Sequence, residues 1–153
     1  IVTDGTGDLK NGPVEVYSVL GRTSQLKGAE AYDFLGFSVS VPSSSPQLEY
    51  RGYVNFDQEE RTAIAVYNPD KTHSVELELV LYGADGKQVA TSPLGLNGGQ
   101  QAAVFLDDPN LFGDSINGDF RGTVAITSEV IPVAVLSLIM DRATGALVVV
   151  SLE

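Results

Sequence analysis

The fold class is decided by the stretch Ser74-Val75-Glu76-Leu77-Glu78-Leu79-Val80-Leu81-Tyr82, in which apolar and polar side chains alternate. Alternation with a period of two predicts a β-strand that has one buried and one solvated face. The chain continues through Ala84-Asp85-Gly86-Lys87 into Gln88-Val89-Ala90. An Asp-Gly pair supplies the positive φ angles that a tight hairpin turn requires. This segment therefore predicts an antiparallel β-hairpin.

Further strands are predicted on both sides of this hairpin, at spacings of about 8 to 12 residues that are typical of a sandwich or barrel. They cover Ile1–Thr3, Val14–Leu20, Phe34–Val41, Leu48–Phe56, Thr62–Asn68, Gln100–Leu106, Phe120–Thr127, Pro132–Asp141 and Ala146–Leu152. Between them, Asp108 and Pro109 suit the cap and first turn of a helix, so one short helical turn is expected near residues 108–112.

We therefore predict a single all-β domain over residues 1–153, an antiparallel β-sandwich of about 8–10 strands. Residues 1–12 are expected to be a strand plus linker that comes from or leads toward a neighbouring module. No tandem repeat is evident within the chain. The predicted core consists of apolar residues on alternating positions of the strands: Ile64, Val66, Val75, Leu77, Leu79, Leu81, Val104, Val124, Ile126, Val133, Val135 and Leu138.

Composition excludes several classes of partner and site. The 20 Asp and Glu residues outnumber 9 Lys and Arg residues, which gives a net charge of −11 that repels nucleic acid and anionic lipid. Cysteine is absent, so disulfides and thiolate metal sites are excluded. The longest apolar run, Val130–Met140, is about half the length of a membrane helix, so no membrane insertion is expected. Since the chain begins at Ile1, we expect a mature or trimmed domain.

No set of residues has the types and spacing of an active site, and we predict that the protein is not an enzyme. His73 is the sole histidine and follows a turn, without the further ligands of a metal site or the nucleophile and acid of a triad. The pairs Glu59-Glu60, Glu76 with Glu78, and Asp107 with Asp108 lack the apolar cleft that raises a catalytic pKa.

Two ligand classes remain open. Asp107, Asp108, Asp114, Asn117 and Asp119 fall in one oxygen-rich loop of the kind that binds Ca²⁺, so this loop is the candidate metal site, although ordinary turn chemistry explains the same residues. The strand tyrosines could form a platform for a glycan, although such residues also cap core edges. These tyrosines are Tyr17, Tyr50, Tyr53, Tyr67 and Tyr82. No other cofactor is expected.

The stretch Arg61-Thr62-Ala63-Ile64-Ala65-Val66-Tyr67-Asn68-Pro69 resembles a T-x-I-A-V-x-N-P strand found in repeat β-sandwich domains of large secreted bacterial surface proteins. Further matches follow at Val75–Tyr82 with Asp85-Gly86, at Leu94–Gln100, at Phe120–Ile126 and at Ile131–Leu136. The resemblance covers about 90 residues and involves turns and core positions. It implies an extracellular or cell-surface module that acts as a spacer or adhesive unit.

Two functions follow as hypotheses. The first is a non-catalytic structural or adhesive module that associates with homotypic or tandem protein modules through strand edges, helped by the strand Ile1–Thr3. The alternative is a β-sandwich module that binds a glycan or calcium.

Overall fold

A computed structural model describes the backbone of residues 29–34, 37–42, 44–116, 118–150 and 152, and side chains from residue 44 onward except that of Asp114. The predicted strands Ile1–Thr3 and Val14–Leu20 and the predicted linker 1–12 lie outside these residues. The strands are β1 (Ala29–Phe34), β2 (Phe37–Pro42), β3 (Glu49–Phe56), β4 (Glu60–Tyr67), β5 (Val75–Gly83), β6 (Gln88–Leu96), β7 (Gln101–Phe105), β8 (Phe120–Ser128), β9 (Ala134–Asp141) and β10 (Leu147–Val150).

All strand pairs are antiparallel, which confirms the predicted all-β class. The helical turn is also confirmed, as α1 (Pro109–Phe112), and a short 3₁₀ turn at Gly113–Ser115 follows it. The Asp108 carboxylate caps α1 by accepting a hydrogen bond from the Asn110 N–H. Within the described part of the chain, no helix has the length and apolarity needed to cross a membrane.

β1 and β2 form a separate two-stranded sheet, and the other eight strands form two groups that meet where β3 pairs with β4. The hydrogen-bonded order is β10-β9-β4-β3-β8-β5-β6, and β7 pairs with the other side of β4. β3 and β4 pair only at Phe56 and Arg61, beside the turn that joins them. One hydrophobic cluster contains side chains from both groups, such as Ile64 of β4 and Leu79 of β5. The shared core is compatible with the predicted sandwich, in which β10-β9-β4-β7 would face β3-β8-β5-β6, and the sandwich packing stays a prediction.

β5 has the predicted alternation except at Val80, which shares the parity of Glu76 and Glu78 but is buried. Leu77, Leu79 and Leu81 are buried, while Glu76 and Glu78 are exposed. Gly86 has a φ of 76° in the turn, which explains the glycine at this position. The register shifts between Leu81 and Tyr82, so a β-bulge lies next to the turn.

The predicted core is largely confirmed, with one error on β9. Leu138 is half-buried and lies outside the core cluster, whereas Val133, Val135 and Ser137 are buried. Apolar residues occupy both the odd-numbered and the even-numbered positions of β9, so its sequence alone does not show which face is inward. Val104 is half-buried and packs against the core. The other predicted core residues are all buried: Ile64, Val66, Val75, Leu77, Leu79, Leu81, Val124 and Ile126.

The strand predicted at Phe34–Val41 is also corrected. Phe34 ends β1 and β2 begins at Phe37, so the predicted span belongs to two antiparallel strands and not to one. Phe34 and Phe37 are partners in the register of that hairpin. The aromatic and β-branched residues of this segment indicated strand structure but gave no sign of the reversal.

Leu79→Ala should lower the free energy of unfolding by about 2–5 kcal/mol, because it removes a buried side chain and leaves a cavity. Leu79 is fully buried in the shared core. Glu78→Ala is the matched control on the exposed face of the same strand, and should change the free energy by no more than about 0.5 kcal/mol. Urea unfolding measures both, and equal effects would contradict the assigned faces of β5.

Ser137→Ala should raise the free energy of unfolding by about 1 kcal/mol, because a buried hydroxyl without a partner carries a desolvation penalty. Among the described residues, no group bonds the Ser137 Oγ. Ser128→Ala is the matched control and should be destabilising, since the buried Ser128 Oγ donates to the Ile131 carbonyl at 2.7 Å. A stability loss from Ser137→Ala as large as that from Ser128→Ala would contradict this assignment.

Candidate functional site

The Asp107 carboxylate binds two arginines where β7 leads into α1. Arg61 Nη2 lies 2.6 Å from Asp107 Oδ1, and Arg142 Nη2 lies 2.6 Å from Asp107 Oδ2. The Asp107 side chain is 15% exposed. Arg61 is on β4 and Arg142 follows β9, so this ion-pair network joins three segments that are distant in sequence. We call Arg61, Asp107 and Arg142 the Asp107 network.

Further contacts hold both arginines in place. The Arg61 guanidinium lies 3.5 Å from the centroid of the Phe105 ring, a cation–π geometry. Arg142 Nε donates to the Asp57 carbonyl at 2.8 Å, and the Arg142 N–H donates to the Glu59 carbonyl at 2.7 Å. The Asp107 network therefore also fastens the β3–β4 turn.

The β3–β4 turn is built by a carboxylate and a buried amide. Asp57 Oδ1 accepts hydrogen bonds from the N–H groups of Glu60 and Glu59, and these bonds lower the pKa of Asp57. Asn55 is buried, and its Nδ2 donates to Asp57 Oδ2 and to Glu60 Oε2. The buried Thr62 hydroxyl donates to the Asn55 carbonyl at 2.8 Å. These bonds satisfy the polar groups where β3 turns into β4.

A cavity of about 330 Å³ lies beside the Asp107 network and has an apolar floor and an acidic rim. Its apolar lining comes from Phe56, Leu106, Phe112 and Ile116. Its polar lining includes Asp57, Asp107, Asp108, Asp119 and Arg142.

Three of the five residues predicted to bind Ca²⁺, Asp107, Asp108 and Asp119, line this cavity. The side chain of Asp114 and the whole of Asn117 lie outside the described residues. Asp107 is bound by arginines, and Asp108 Oδ1 accepts from the Asn110 N–H and Nδ2. In the part of the chain that the structure describes, no three His, Asp or Glu residues are grouped so as to hold a metal. The calcium site remains a prediction.

A second polar cluster surrounds the turn after β4, at the opposite end of this strand from Arg61. Asn68 is fully buried, and its Nδ2 donates to the carbonyls of His73 and Asn97. Asp70 Oδ1 accepts hydrogen bonds from the Thr72 hydroxyl, the Thr72 N–H and the His73 N–H. These bonds, led by that of the Thr72 hydroxyl, lower the pKa of Asp70.

His73 is an exposed turn residue, as the sequence indicated, with a side chain that is 72% exposed. Its Nδ1 lies 2.9 Å from Asp70 Oδ2 and 2.8 Å from Thr72 Oγ1. A Ser-His-Asp relay uses one ring nitrogen for the acid and the other for the hydroxyl. Here both partners contact the same nitrogen, so these three residues do not have relay geometry.

Two of the candidate tyrosines lie on one outward face. Tyr53 of β3 and Tyr82 of β5 are both register partners of Thr123 on β8, which lies between them. Tyr53 is 42% exposed and Tyr82 is half-buried. Tyr50 is buried, with its hydroxyl 2.8 Å from the Val133 carbonyl. Tyr67 is half-buried, and Tyr17 lies outside the described residues.

Sequence reasoning assigned no side-chain contact to Arg61, Arg142 or Asn68. Arg61 and Asp107 are 46 residues apart, and Arg142 and Asp107 are 35 residues apart. No local pattern reports such a contact. The role of Asn68 could have been predicted from the sequence. It lies two residues before Asp70 in a turn that contains a proline, and an Asn in such a turn typically bonds the backbone through its side chain.

Comparison with known proteins gives no family for this chain. No family model matches it, and no curated protein matches it. Among solved structures, it is similar to the Anabaena sensory rhodopsin transducer, with 18% sequence identity and a TM-score of 0.48. The match covers 62% of this chain and 98% of that chain.

Asp107→Asn should lower the free energy of unfolding by about 1.5–3 kcal/mol, the range for a hydrogen bond to a charged group. The substitution leaves Arg61 and Arg142, whose side chains are 24% and 35% exposed, without their anion. Asp119→Asn is the matched control on the exposed rim of the cavity and should change the free energy by no more than about 0.5 kcal/mol. Equal unfolding midpoints in urea for Asp107→Asn and the wild type would contradict the proposed role of the network.

Acid should destabilise the protein partly through Asp70. Because its pKa is lowered in the folded state, its bonds contribute stability above the unfolded pKa of about 3.9, and this contribution is lost as pH falls through the folded pKa. The turn carboxylates Asp57, Asp85 and Asp141 are shifted in the same direction by bonds from backbone N–H groups.

Asp70→Asn should therefore lower stability at neutral pH and reduce the further loss between neutral and acidic pH. Urea unfolding across that interval measures both effects. Thr72→Val removes the hydroxyl that donates to Asp70 and should shift the pH dependence the same way. An Asp70→Asn variant with the pH dependence of the wild type would disprove this contribution.

Proposed function

We propose that this protein is a non-catalytic structural or adhesive module of an extracellular or cell-surface assembly, and that it works by contact with other modules of its own kind. The extracellular assignment is supported by the resemblance of the Arg61–Pro69 strand to secreted repeat domains. The contact function is supported by the surface of the sheet that contains β4 and β9.

One outward sheet face is apolar, and this observation carries the proposal. The inward residues of β4 are Thr62, Ile64 and Val66, so Ala63 and Ala65 are on the outer face. On β9 the outward positions opposite them are Leu138 and Leu136. An antiparallel sheet that faces water normally has polar outward residues. The outer apolar face consists of Ala63, Ala65, Leu136, Leu138, Met140 and Val149, all half-buried.

The polar groups at both ends support a structural rather than a chemical role. Asp107 binds Arg61 and Arg142, while Asp57 and Asp70 accept backbone N–H groups of their own turns. Each of these carboxylates holds loops in place. At one end of the strand order, β6 contains Pro93, whose missing N–H makes that edge a poor template for another strand. This favours association through the sheet of β4, β9 and β10 over association through β6.

Charge predicts how such an association responds to salt. Two chains that each carry a net charge of −11 repel one another. Salt screens this repulsion and leaves burial of apolar surface largely intact. Self-association through the outer apolar face should therefore strengthen as salt concentration rises.

Sedimentation velocity at increasing protein and salt concentrations tests this proposal. The wild type should self-associate, and Leu138→Glu on the outer apolar face should weaken the association. Thr123→Glu is the matched control, since it adds the same charge at an exposed position of the other sheet. A wild type that stays monomeric at high protein and salt concentration, or equal effects of the two substitutions, would overturn the proposal.

A glycan- or calcium-binding module is the second candidate. The row Tyr53, Thr123 and Tyr82 places two aromatic side chains on one outward face, which suits stacking against a sugar. The acidic rim of the cavity beside Asp107 is where Ca²⁺ would bind. Under this alternative, a glycan raises the melting temperature of the wild type but not that of Tyr53→Ala.

If the module binds calcium, millimolar Ca²⁺ should raise its melting temperature, because a ligand that binds only the native state stabilises that state. A chelator should bring the melting temperature back to its value without Ca²⁺. Asp108→Asn and Asp119→Asn should reduce that rise. A melting temperature that is the same in chelator and in millimolar Ca²⁺ would reject calcium binding.

A further inference from the structure

β7 is an edge strand that pairs with β4 on one side. The Leu106 N–H, directly after β7, donates to the Thr62 carbonyl at 2.9 Å in the same register. In an antiparallel ladder, alternate residues direct both of their backbone groups to the same side. The even-numbered residues of β7 therefore bond β4. The odd-numbered residues direct their N–H and C=O groups away from β4, and these residues are Gln101, Ala103 and Phe105.

Most of these outward backbone groups are available to a further strand. The Phe105 carbonyl accepts a hydrogen bond from the Asp108 N–H at 3.1 Å. In the part of the chain that the structure describes, no backbone partner contacts the Phe105 N–H or the outward groups of Gln101 and Ala103. Gln101 and Ala103 are also exposed. An edge of this kind is a template for main-chain pairing with another chain.

The other edge strands of the eight-stranded sheet are less accessible. β6 contains Pro93, whose missing N–H interrupts the hydrogen bonds to an added strand. The edge of β3 is closed at both ends, where Gln47 bonds Val133 and the Thr62 hydroxyl bonds the backbone of Asn55. β10 lies beside β2. Among the described edges, β7 is therefore the one best suited to strand addition.

The segment that contains β7 is uncharged. Residues 88–106, which include β6, β7 and the turn between them, contain no Asp, Glu, Lys, Arg or His. Two copies of a chain with a net charge of −11 repel one another on average. At this edge, however, a second copy can approach without like charges meeting, whereas a charged partner finds no complementary charge. Charge therefore favours the β7 strand of a second copy as the occupant.

The outward groups of β7 are arranged symmetrically about Ala103. Antiparallel pairing about this residue places Ala103 opposite the same residue of the second copy, and Gln101 opposite Phe105. Each outward residue of one strand then lies opposite an outward residue of the other. The side chain at the centre is a methyl group, which does not hinder the approach of the two backbones.

We propose that two copies of this chain pair antiparallel through β7, centred on Ala103. The order β10-β9-β4-β7 of one copy then continues into β7-β4-β9-β10 of the other as a single sheet. The inference rests on the proposed homotypic function and names the contact that performs it. Because the pairing uses the β7 edge of both copies, it closes at a dimer.

This pairing also joins the outer apolar faces of the two copies. Ala102 and Val104 pack against the core, so the odd-numbered residues of β7 lie on the opposite side of the sheet. Ala103 is the register partner of Ala65, which belongs to the outer apolar face. Residues that lie opposite each other in a ladder share one face of the sheet. The two outer apolar faces therefore lie side by side in the dimer.

Cysteine trapping tests the centre of this pairing, because the chain has no cysteine. Hydrogen-bonded partners in an antiparallel pair have Cα atoms about 5.5 Å apart, a separation that a disulfide spans. Ala103→Cys should therefore give a disulfide-linked dimer on mild oxidation. Thr123→Cys, at an exposed position of β8, is the matched control and should stay monomeric. Equal yields from the two variants, or no dimer from Ala103→Cys, would overturn the proposal.

Two lysine variants test the same contact without a covalent bond. Ala103→Lys places two like charges opposite each other, and should weaken the dimer about fivefold or more in sedimentation velocity. Thr123→Lys is the matched control and should leave the dimer unchanged. Both substitutions make the net charge less negative, so a weaker dimer from Ala103→Lys alone is an effect of position. Equal dissociation constants for the two variants would overturn the proposal.

The same measurements separate this inference from the proposed function. Self-association that is weakened by Leu138→Glu but not by Ala103→Lys leaves the homotypic module standing and removes the β7 contact. Self-association that is weakened by Ala103→Lys but not by Leu138→Glu supports the β7 contact and rejects the outer apolar face as the contact. A wild type that stays monomeric overturns both.

Discussion

The pairing of β4 on both sides is the constraint on which the rest of the structure depends. β9 runs along one side of this strand and β7 along the other, while Thr62, Ile64 and Val66 are at most 1% exposed. A shift of one residue in either register would turn these side chains out of the core. Only one alignment of β4 therefore keeps these side chains buried, and the ends of this strand fix where the loops at both ends of the sheet lie.

Both polar clusters start from the ends of β4. Arg61, the second residue of β4, forms an ion pair with Asp107, and the Thr62 hydroxyl donates to the Asn55 carbonyl. Asn68 follows its last residue and joins the β4–β5 and β6–β7 turns. Some of the carboxylates of this acidic chain lie in these loops, where they accept hydrogen bonds from backbone N–H groups. In the part of the chain that the structure describes, the outer apolar face on β4, β9 and β10 is the surface on which the proposed contact function rests.

Local pattern was sufficient for most of the fold. The alternation of Val75–Leu81, the turn at Gly86 and the cap at Asp108 each depend on neighbours in sequence, and each was predicted. On β9, Val133 and Val135 were predicted correctly as core residues but Leu138 was not, because Leu138 is as apolar as they are and the inward residue beside it, Ser137, is polar. The Asp107 network depends on contacts between distant segments, so charge alone could not reveal it; the acidic loop suggested calcium instead.

Native-state hydrogen exchange tests the central role of β4 most directly. Amides that open only when the whole domain unfolds exchange most slowly, whereas edge strands open locally. The account predicts that the amides of Ile64, Ala65 and Val66 are among the slowest in the protein, and slower than those of Val148 and Val149 on β10. Exchange of the β4 amides by local opening, at rates equal to or above those of β10, would contradict it.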